Sequence, residues 1–467
     1  MSSYIHEPAR KTPIHKEVDV LVAGGGLSGV MAAVSAARSG AKTMLVERYS
    51  FLGAVATMGL PIQGYCASDG SQAVMGLADE FRRRLRAAGG ATDFIPCAMH
   101  NAYLVVDPES VKLICQRMIQ EAGVDLLLSA PVVDLAMREN RIAAAVVEGK
   151  SGREAIVANQ YIDCTGDADL VARSGGAFQM AKVHALQATT MNVQMAGVDI
   201  RAIQKLIRGD PSGNTLFPLL SREQVSTNER YIMVGLTEYL RRAASDNIDG
   251  LSWGNVCYIT LVNEGTVCLN SVHISGLNPC DTGELTSIET QGREEAWKVA
   301  AFMKKYIPGF ENAYIIATGP WAGIRESRNI KGIRTLTEAD VRTGNIPEDT
   351  IGLGCYPIDF HIKGSANGSE ISASEEKNGL KFEKVPLYGI PYGSLVPENS
   401  QNLLVAGRTI SATRTAISSA RVMAPCMAEG EAAGIAAAIC ASESSMPSAL
   451  DADRVRSALL LRGARLC

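Results

Sequence analysis

The stretch from Val18 to Glu47 reads VDVLVAGGGLSGVMAAVSAARSGAKTMLVE. A short apolar run, Val18 to Ala23, passes directly into Gly24-Gly25-Gly26-Leu27-Ser28-Gly29, a G-x-G-x-x-G sequence. The small and apolar residues Val30 to Ala37 follow as a helix pattern closed by Gly40, and a second apolar run, Thr43 to Val46, ends on the acid Glu47. Each part suits a ligand that carries a pyrophosphate. Gly24 permits the tight turn, Gly26 lets backbone come close to the pyrophosphate, and Gly29 lets the helix lie against the strand. Leu27 and Ser28 open that helix, whose unpaired N–H groups and positive dipole end face an anion. Glu47 stands where an acid accepts from ribose hydroxyls. A glycine motif alone also suits a surface turn, but strand, glycines, helix, second strand and terminal acid arrive here in order within one βαβ length. An acid rather than a base at position 47 favours a free 2′-hydroxyl, as in FAD or NAD.

The chain has 467 residues, enough for two or three domains, and its 46% hydrophobic content is ample for a packed core. A net charge of −4 and a pI near 6.0 give no electrostatic footprint for nucleic acid or anionic membrane, so small molecules are the expected partners. Residues 1–16 lack the apolar core of a secretory signal and read as a polar arm. The most hydrophobic stretches, 22–37 and 435–441, are too short or too glycine-rich to span a bilayer, and the expectation is a soluble, cytoplasmic protein. Eleven cysteines without C-x-x-C or close pairing point to neither a disulfide framework nor a metal site.

Beyond Glu47 and Arg48, a loop of small residues that includes Gly53, Ala54 and Thr57 would admit a bulky planar ligand. Ala73 to Ala88 reads as an amphipathic helix whose arginines 82, 83, 84 and 86 form a solvated face. Asp107 with Pro108 starts a helix running through Glu121. Val124 to Leu128 is a strand, and 131–135 and 142–148 form an antiparallel pair around the turn at 138–140. Ala155 to Ile162 returns to Cys164-Thr165-Gly166-Asp167, a second strand end where backbone can meet the ligand.

From about 175 to 320 the pattern changes to an α+β block with no phosphate loop, the expected substrate domain. Its strands are 189–198, 257–262 and 266–274, with a hairpin turn at 263–265, and its helical patterns lie around 223–244 and 287–306. Residues 321–467 return to the first domain. They hold a capping-box start at Thr337-x-x-Asp340, a mobile loop at 363–380, the buried strand and glycine of Leu403 to Gly407, a turn-like segment 409–419, and an Ala- and Gly-rich helix over 427–439.

The opening motif with Glu47, the Cys164-Thr165-Gly166-Asp167 strand end, and the closing LLVAGR...RVMAPCMAEGEAAG resemble FAD-dependent oxidoreductases of the two-dinucleotide-binding-domain, glutathione-reductase-type superfamily. Arg325-Glu326-Ser327-Arg328 with TLTEADV, and Tyr388-x-Ile390-Pro391-Tyr392, resemble its largely substrate-unassigned "FAD-dependent oxidoreductase" group. The resemblance covers about 17 to 441. It implies an α/β fold: a Rossmann-like FAD-binding domain with a central parallel sheet and a small antiparallel β-meander crossover, carrying an inserted α+β substrate domain. It implies that Gly24, Gly26 and Gly29 meet the pyrophosphate, Glu47 the adenosine ribose, and Val133 the adenine through its backbone. Gly407 and Arg408 would lie along the ribityl–pyrophosphate, and the helix beginning near Pro425 and Cys426 would aim at the flavin's pyrimidine edge. Two departures stand out: Gly53-Ala54 replaces paired glycines, and no second G-x-G-x-x-G exists.

A flavoenzyme that draws hydride from NAD(P)H through its own nicotinamide domain carries two such fingerprints, and this chain shows one. The expected chemistry is therefore hydride transfer between a small organic substrate and the flavin, with oxygen, quinone or another protein as the partner for reoxidation. Arg325 and Arg328 are forks suited to orienting a carboxylate. His361 and Tyr392, with Asp359 nearby, are the candidates for the released proton, and Arg421 for helping the helix dipole stabilise charge on the reduced ring. Two other classes stay open: a flavoprotein subunit of an electron-transfer complex, and a flavin-dependent RNA-modifying protein, against which the acidic balance weighs. Homo-oligomer formation and the electron acceptor stay open as well.

Overall fold

The computed structural model describes residues 5, 8–97, 99–209, 216–218, 230–245, 256–360 and 383–467. The apolar run that precedes the glycines is a ten-residue strand, Ile14–Ala23, whose last four residues are buried on both faces, as a central parallel strand requires. It pairs in parallel with Thr43–Val46 on one side and with Gly152–Asp163 on the other. Asp125–Leu127 extends the sheet beyond Thr43–Val46, and Leu403–Val405 joins in parallel at the C-terminal end of Gly152–Asp163. The N-terminal half of Gly152–Asp163 instead pairs antiparallel with Arg141–Gly149, which pairs with Val132–Arg138. One seven-stranded sheet thus holds a parallel core and an antiparallel meander. The first strand begins at Ile14, inside the expected polar arm, because Ile14 already pairs with Ala155.

Gly24 shows why the strand-to-helix turn needs glycine: its φ is +104°, and a Cβ there would overlap the carbonyl of Cys164. The first helix, Leu27–Arg38, then packs on the closing helix, Met423–Glu443. This contact depends on small residues, since a Cβ at Gly430 would strike the backbone of Ser28 and one at Gly434 that of Ala32. Fifteen of the closing helix's residues are buried, far more than an amphipathic stripe would supply.

Glu431 on this helix is one of the buried acids. Its Oε2 accepts from Leu77 N at 2.9 Å, at the start of the helix Leu77–Ala87. Burial pushes the carboxyl up from 4.5 to about 7, against the opposing pull of the Leu77 amide and Arg462; Glu80 adds to the rise and Arg38 opposes it. The folded state therefore holds this proton more tightly than the unfolded chain. Its contribution is present in full below pH 4.5 and is lost as pH rises through 7. Glu431→Gln is expected to remove that fall, on the order of 3 kcal/mol in total. Thermal midpoints at pH 5 and pH 8 check it: the variant should gain on the wild type by a few degrees at the higher pH.

The block from Thr189 to Thr318 forms its own six-stranded antiparallel sheet, in the order 216–218, 232–235, 256–260, 267–274, 189–196, 314–318. One face packs Met191, Val193, Met233 and Tyr258 against the 25-residue helix Thr282–Tyr306. The alternate residues Ile232, Val234, Cys257 and Ile259 face a cavity.

Several elements differ from the sequence expectation. The patterned helix around 223–244 is a strand at Ile232–Gly235 followed by a helix at Thr237–Ser245, with 223–229 outside the described residues. The turn-like segment 409–419 contains a helix, Arg414–Ala420. The closing helix begins at Met423, so Pro425 sits in its first turn, where a missing N–H costs nothing. A small sheet of Ile62–Gln63, Asn101–Leu104 and Ile95–Cys97 had no readable pattern, its strands being two to four residues long. The basic side of Leu77–Ala87 is ion-paired: Arg82 and Arg83 with Asp79, Arg84 with Glu80 and Glu121, Arg86 with Asp93. The expected loop 363–380 lies outside the described residues. The capping box is present, with Thr337 and Asp340 bonding reciprocally.

Candidate active site

A continuous cavity of about 500 Å³ runs from the ends of the parallel strands to the face of the antiparallel sheet opposite its helix. Gly24, Gly26, Leu27, Ser28, Glu47, Arg48, Gly53, Ala54, Val133, Gly166, Gly407 and Arg408 line one half, and Arg325, Asp359, Arg421 and Cys426 the other.

In the first half, the helix Leu27–Arg38 begins on Gly26 with no side-chain cap and no acid in its first turn. Its N-terminal amides are left for an anion from outside the chain. A Cβ at Gly26 would touch only Ala54 Cβ, at 3.3 Å, because the position opens on the cavity. Glu47 accepts from the amides of Gly25 and of Tyr49, the latter at 2.8 Å, which fixes the acid at the tip of its strand. Burial raises its pKa. Arg408 Nη1 donates to Ser327 Oγ at 2.6 Å and Nη2 to Asp167 Oδ1 at 2.5 Å. Burial works to raise the Asp167 carboxyl, but the guanidiniums of Arg408 and Arg48 outweigh it and hold it below its ordinary value. Asp167 therefore supports the cavity wall through Arg408 rather than lining it. Gly407 N donates to Oε2 of the fully buried Glu429 at 2.8 Å.

The closing helix also starts without a side-chain cap or an acid, and Val422, Met423 and Cys426 line the cavity there. Two uncapped helix starts thus border one space, whose glycine-lined floor leaves room for a diphosphate and whose far end meets a second positive helix end, as a flavin ring requires. These residues fit FAD. Burial pushes the Cys426 thiol well above its ordinary pKa, which keeps it protonated and unreactive.

Other expected residues stand elsewhere. Gly29 is behind the wall, its α-carbon against Gly24. The Thr57 hydroxyl donates to Ala54 O at 2.7 Å and lines a separate hollow. Pro425 packs on Gly64. Arg328 is spent on Asp169 Oδ1 at 3.0 Å and Asp167 O at 2.9 Å, outside the cavity lining, so the second arginine facing the substrate side is Arg421. Tyr392 donates to Pro447 O at 2.9 Å in the core, too far inside to take a substrate proton. His361 lies outside the described residues.

In the second half, Arg325 Nη1 donates to the neutral acceptors Ala188 O, at 2.6 Å, and Thr190 Oγ1. Arg421 Nη2 donates to Asp359 O at 3.1 Å and lies 3.9 Å from Asp359 Oδ2. Burial, then the neighbouring Arg421, lower the Arg325 pKa to about 10. Sequence reading missed His100, His273, Asn192, Asn270, Thr190 and Tyr356, all of which line this half. His100 stacks on Tyr356 with ring centroids 5.5 Å apart. Burial, then Asp359, raise the Tyr356 hydroxyl well above its ordinary range. Trp321 stacks on Tyr49 at 3.8 Å, joining the wall of the substrate half to the loop after Glu47.

A parallel sheet whose strand ends carry a glycine turn, with an inserted antiparallel domain facing the same cavity, defines a dinucleotide-dependent oxidoreductase fold. The family described as FAD dependent oxidoreductase matches residues 19–459, and the chain belongs to it: it is an enzyme whose cofactor is FAD. Comparison with curated proteins gave no match. Among solved structures, a geranylgeranyl bacteriochlorophyll reductase-like protein from Thermoplasma acidophilum is similar at 14% identity and TM-score 0.45, over 96% of this chain and 84% of that one. The p-nitrophenol 4-monooxygenase of Pseudomonas putida DLL-E4 is similar at 11% identity and TM-score 0.49, over 96% and 86%. Among the described residues no group could hold a metal ion, and no single helix is long and apolar enough to cross a membrane.

Proposed function

We propose that the enzyme oxidises or reduces a small carboxylate-bearing organic substrate by direct hydride transfer between substrate and flavin. One observation carries this reading: among the described residues, Arg325 and Arg421 face the same cavity half with Asp359 as the acid beside them, and the hydrogen bonds Arg325 donates go to neutral oxygens. A buried excess of positive charge is costly unless an anion enters, and a guanidinium fork matches a carboxylate. FAD, when bound, supplies a two-electron hydride acceptor or donor.

The chain's own residues do the rest. Thr190 and Ala188 fix Arg325, so its fork is preset before substrate arrives. The Met423–Glu443 helix start and Arg421 stabilise negative charge at the cavity's flat end. His273, His100 and Asp359 are the groups positioned to exchange the substrate's proton. The test is dye-linked turnover of a panel of alcohols, amines and hydroxy acids: acids should be turned over in preference to their neutral analogues, and preference for neutral compounds would remove the reading.

A further inference from the structure

The strand Val267–Ile274 pairs with Thr189–Ala196 in a register that slips between Met191 and Val193. Met191 faces Val272 and Val193 faces Leu269, so the two residues Asn270 and Ser271 stand opposite the single residue Asn192. This is a β-bulge, and it breaks the two-residue alternation of side chains. Leu269 and Val272 both point into the core behind the sheet, while Asn270 and His273 both line the cavity. A regular strand could not place residues three apart on one face. His273 is the cross-strand partner of Thr190, the residue that holds Arg325.

Two acceptors at this bulge are unsatisfied. Asn192 is fully buried and its Nδ2 donates to Cys268 Sγ at 3.6 Å, whereas its Oδ1 has no hydrogen-bond partner among the described residues. Asn270 Oδ1 is buried and unpartnered likewise. Buried amide oxygens without donors are costly, and both residues line the cavity, so a small turn of either amide toward a donating ligand would relieve that cost. Arg325 and Arg421 repel an ammonium, which makes a hydroxyl the fitting donor. Beyond the bulge, Ile232, Val234 and Ile259 form an apolar wall.

We propose that this half of the cavity is a site for a hydroxy acid with an apolar body: the carboxylate on Arg325, the hydroxyl of a neighbouring carbon on Asn192 and Asn270, and the body on the aliphatic wall. Thr190, which holds Arg325, and Asn192 lie two residues apart on one strand, about 7 Å, which keeps the hydroxyl close to the carboxylate. The proposal rests on the carboxylate reading above and refines it.

Calorimetric titration of the oxidised holoenzyme with phenylacetate, each enantiomer of mandelate, and phenylglycine tests it without turnover. One mandelate enantiomer should bind about tenfold or more tightly than phenylacetate, and phenylglycine more weakly than that mandelate. Asn270→Leu should erase the mandelate advantage and leave phenylacetate within about twofold of wild type. Equal binding of mandelate and phenylacetate by the wild type, or tighter binding of phenylglycine, overturns the proposal whether or not the variant folds. Selective mandelate binding with no flavin bleaching by any hydroxy acid would leave this site standing and remove hydride transfer. Failure of every carboxylate to bind would remove both.

Discussion

Gly26→Val is expected to yield a folded protein that no longer holds FAD. The position has an ordinary helical-entry backbone, φ −65° and ψ 176°, so no left-handed strain stands against a side chain. The added Cβ meets only Ala54 Cβ at 3.3 Å, a contact that a few tenths of an ångström relieve. The two further methyl groups of valine would add bulk to the cavity that Gly26, Gly53 and Ala54 line, where this reading puts the pyrophosphate. FAD affinity should fall by on the order of 10²-fold or more, and purified protein should change from yellow, with about one FAD per chain, to colourless. Far-ultraviolet circular dichroism should be preserved, while the thermal midpoint drops to that of stripped wild type, since only the mass-action stabilisation by ligand is lost. Full FAD content in this variant would mean that the pyrophosphate lies elsewhere. Gly24→Val should behave differently and fail to accumulate, because its Cβ collides with backbone rather than with ligand.

Arg325→Lys should separate substrate handling from cofactor binding. Among the described residues Arg325 bonds to Ala188, just before the strand Thr189–Ala196, and to Thr190 within it, and not to the loop at Gly24–Gly29. FAD content should therefore match wild type. A single ammonium can satisfy one of those oxygens but cannot also present a planar fork to a carboxylate, so the substrate loses its aligned pose. Flavin reduction by an acid substrate should slow by about 10²-fold. Loss of FAD together with loss of reduction would place Arg325 in the cofactor's support instead.

The half of the cavity built on the glycine turn was legible as structure because its physics is local. The strand, the glycine turn with Gly24 and Gly26, the small-residue helix and Glu47 are contiguous, and each residue type is demanded by its own backbone position. The closing helix was legible for the same reason: Gly430 and Gly434 are required by its contact with the first helix, and the glycines stand in the sequence as spacing. The substrate half was not. Arg325 and Arg328 look alike in sequence, yet Asp169, 159 residues away, takes Arg328 out of the cavity, and only the fold decides which arginine is left facing it. His273 and Asn270 sit in a run that reads as an ordinary apolar strand, and the bulge that turns both inward is a property of its pairing with Thr189–Ala196. His100 comes from a three-stranded patch too short to show any period.

On the proposed route electrons pass directly between an organic acid and the flavin, in a chain that carries one G-x-G-x-x-G fingerprint. Anaerobic stopped-flow mixing of the oxidised holoenzyme with NADH, with NADPH and with the acid selected by turnover, following the visible flavin band, tests it most directly. Rapid, saturable bleaching by the acid, with slow or no bleaching by either nicotinamide, is the predicted result; rapid, saturable reduction by NADH or NADPH would contradict it.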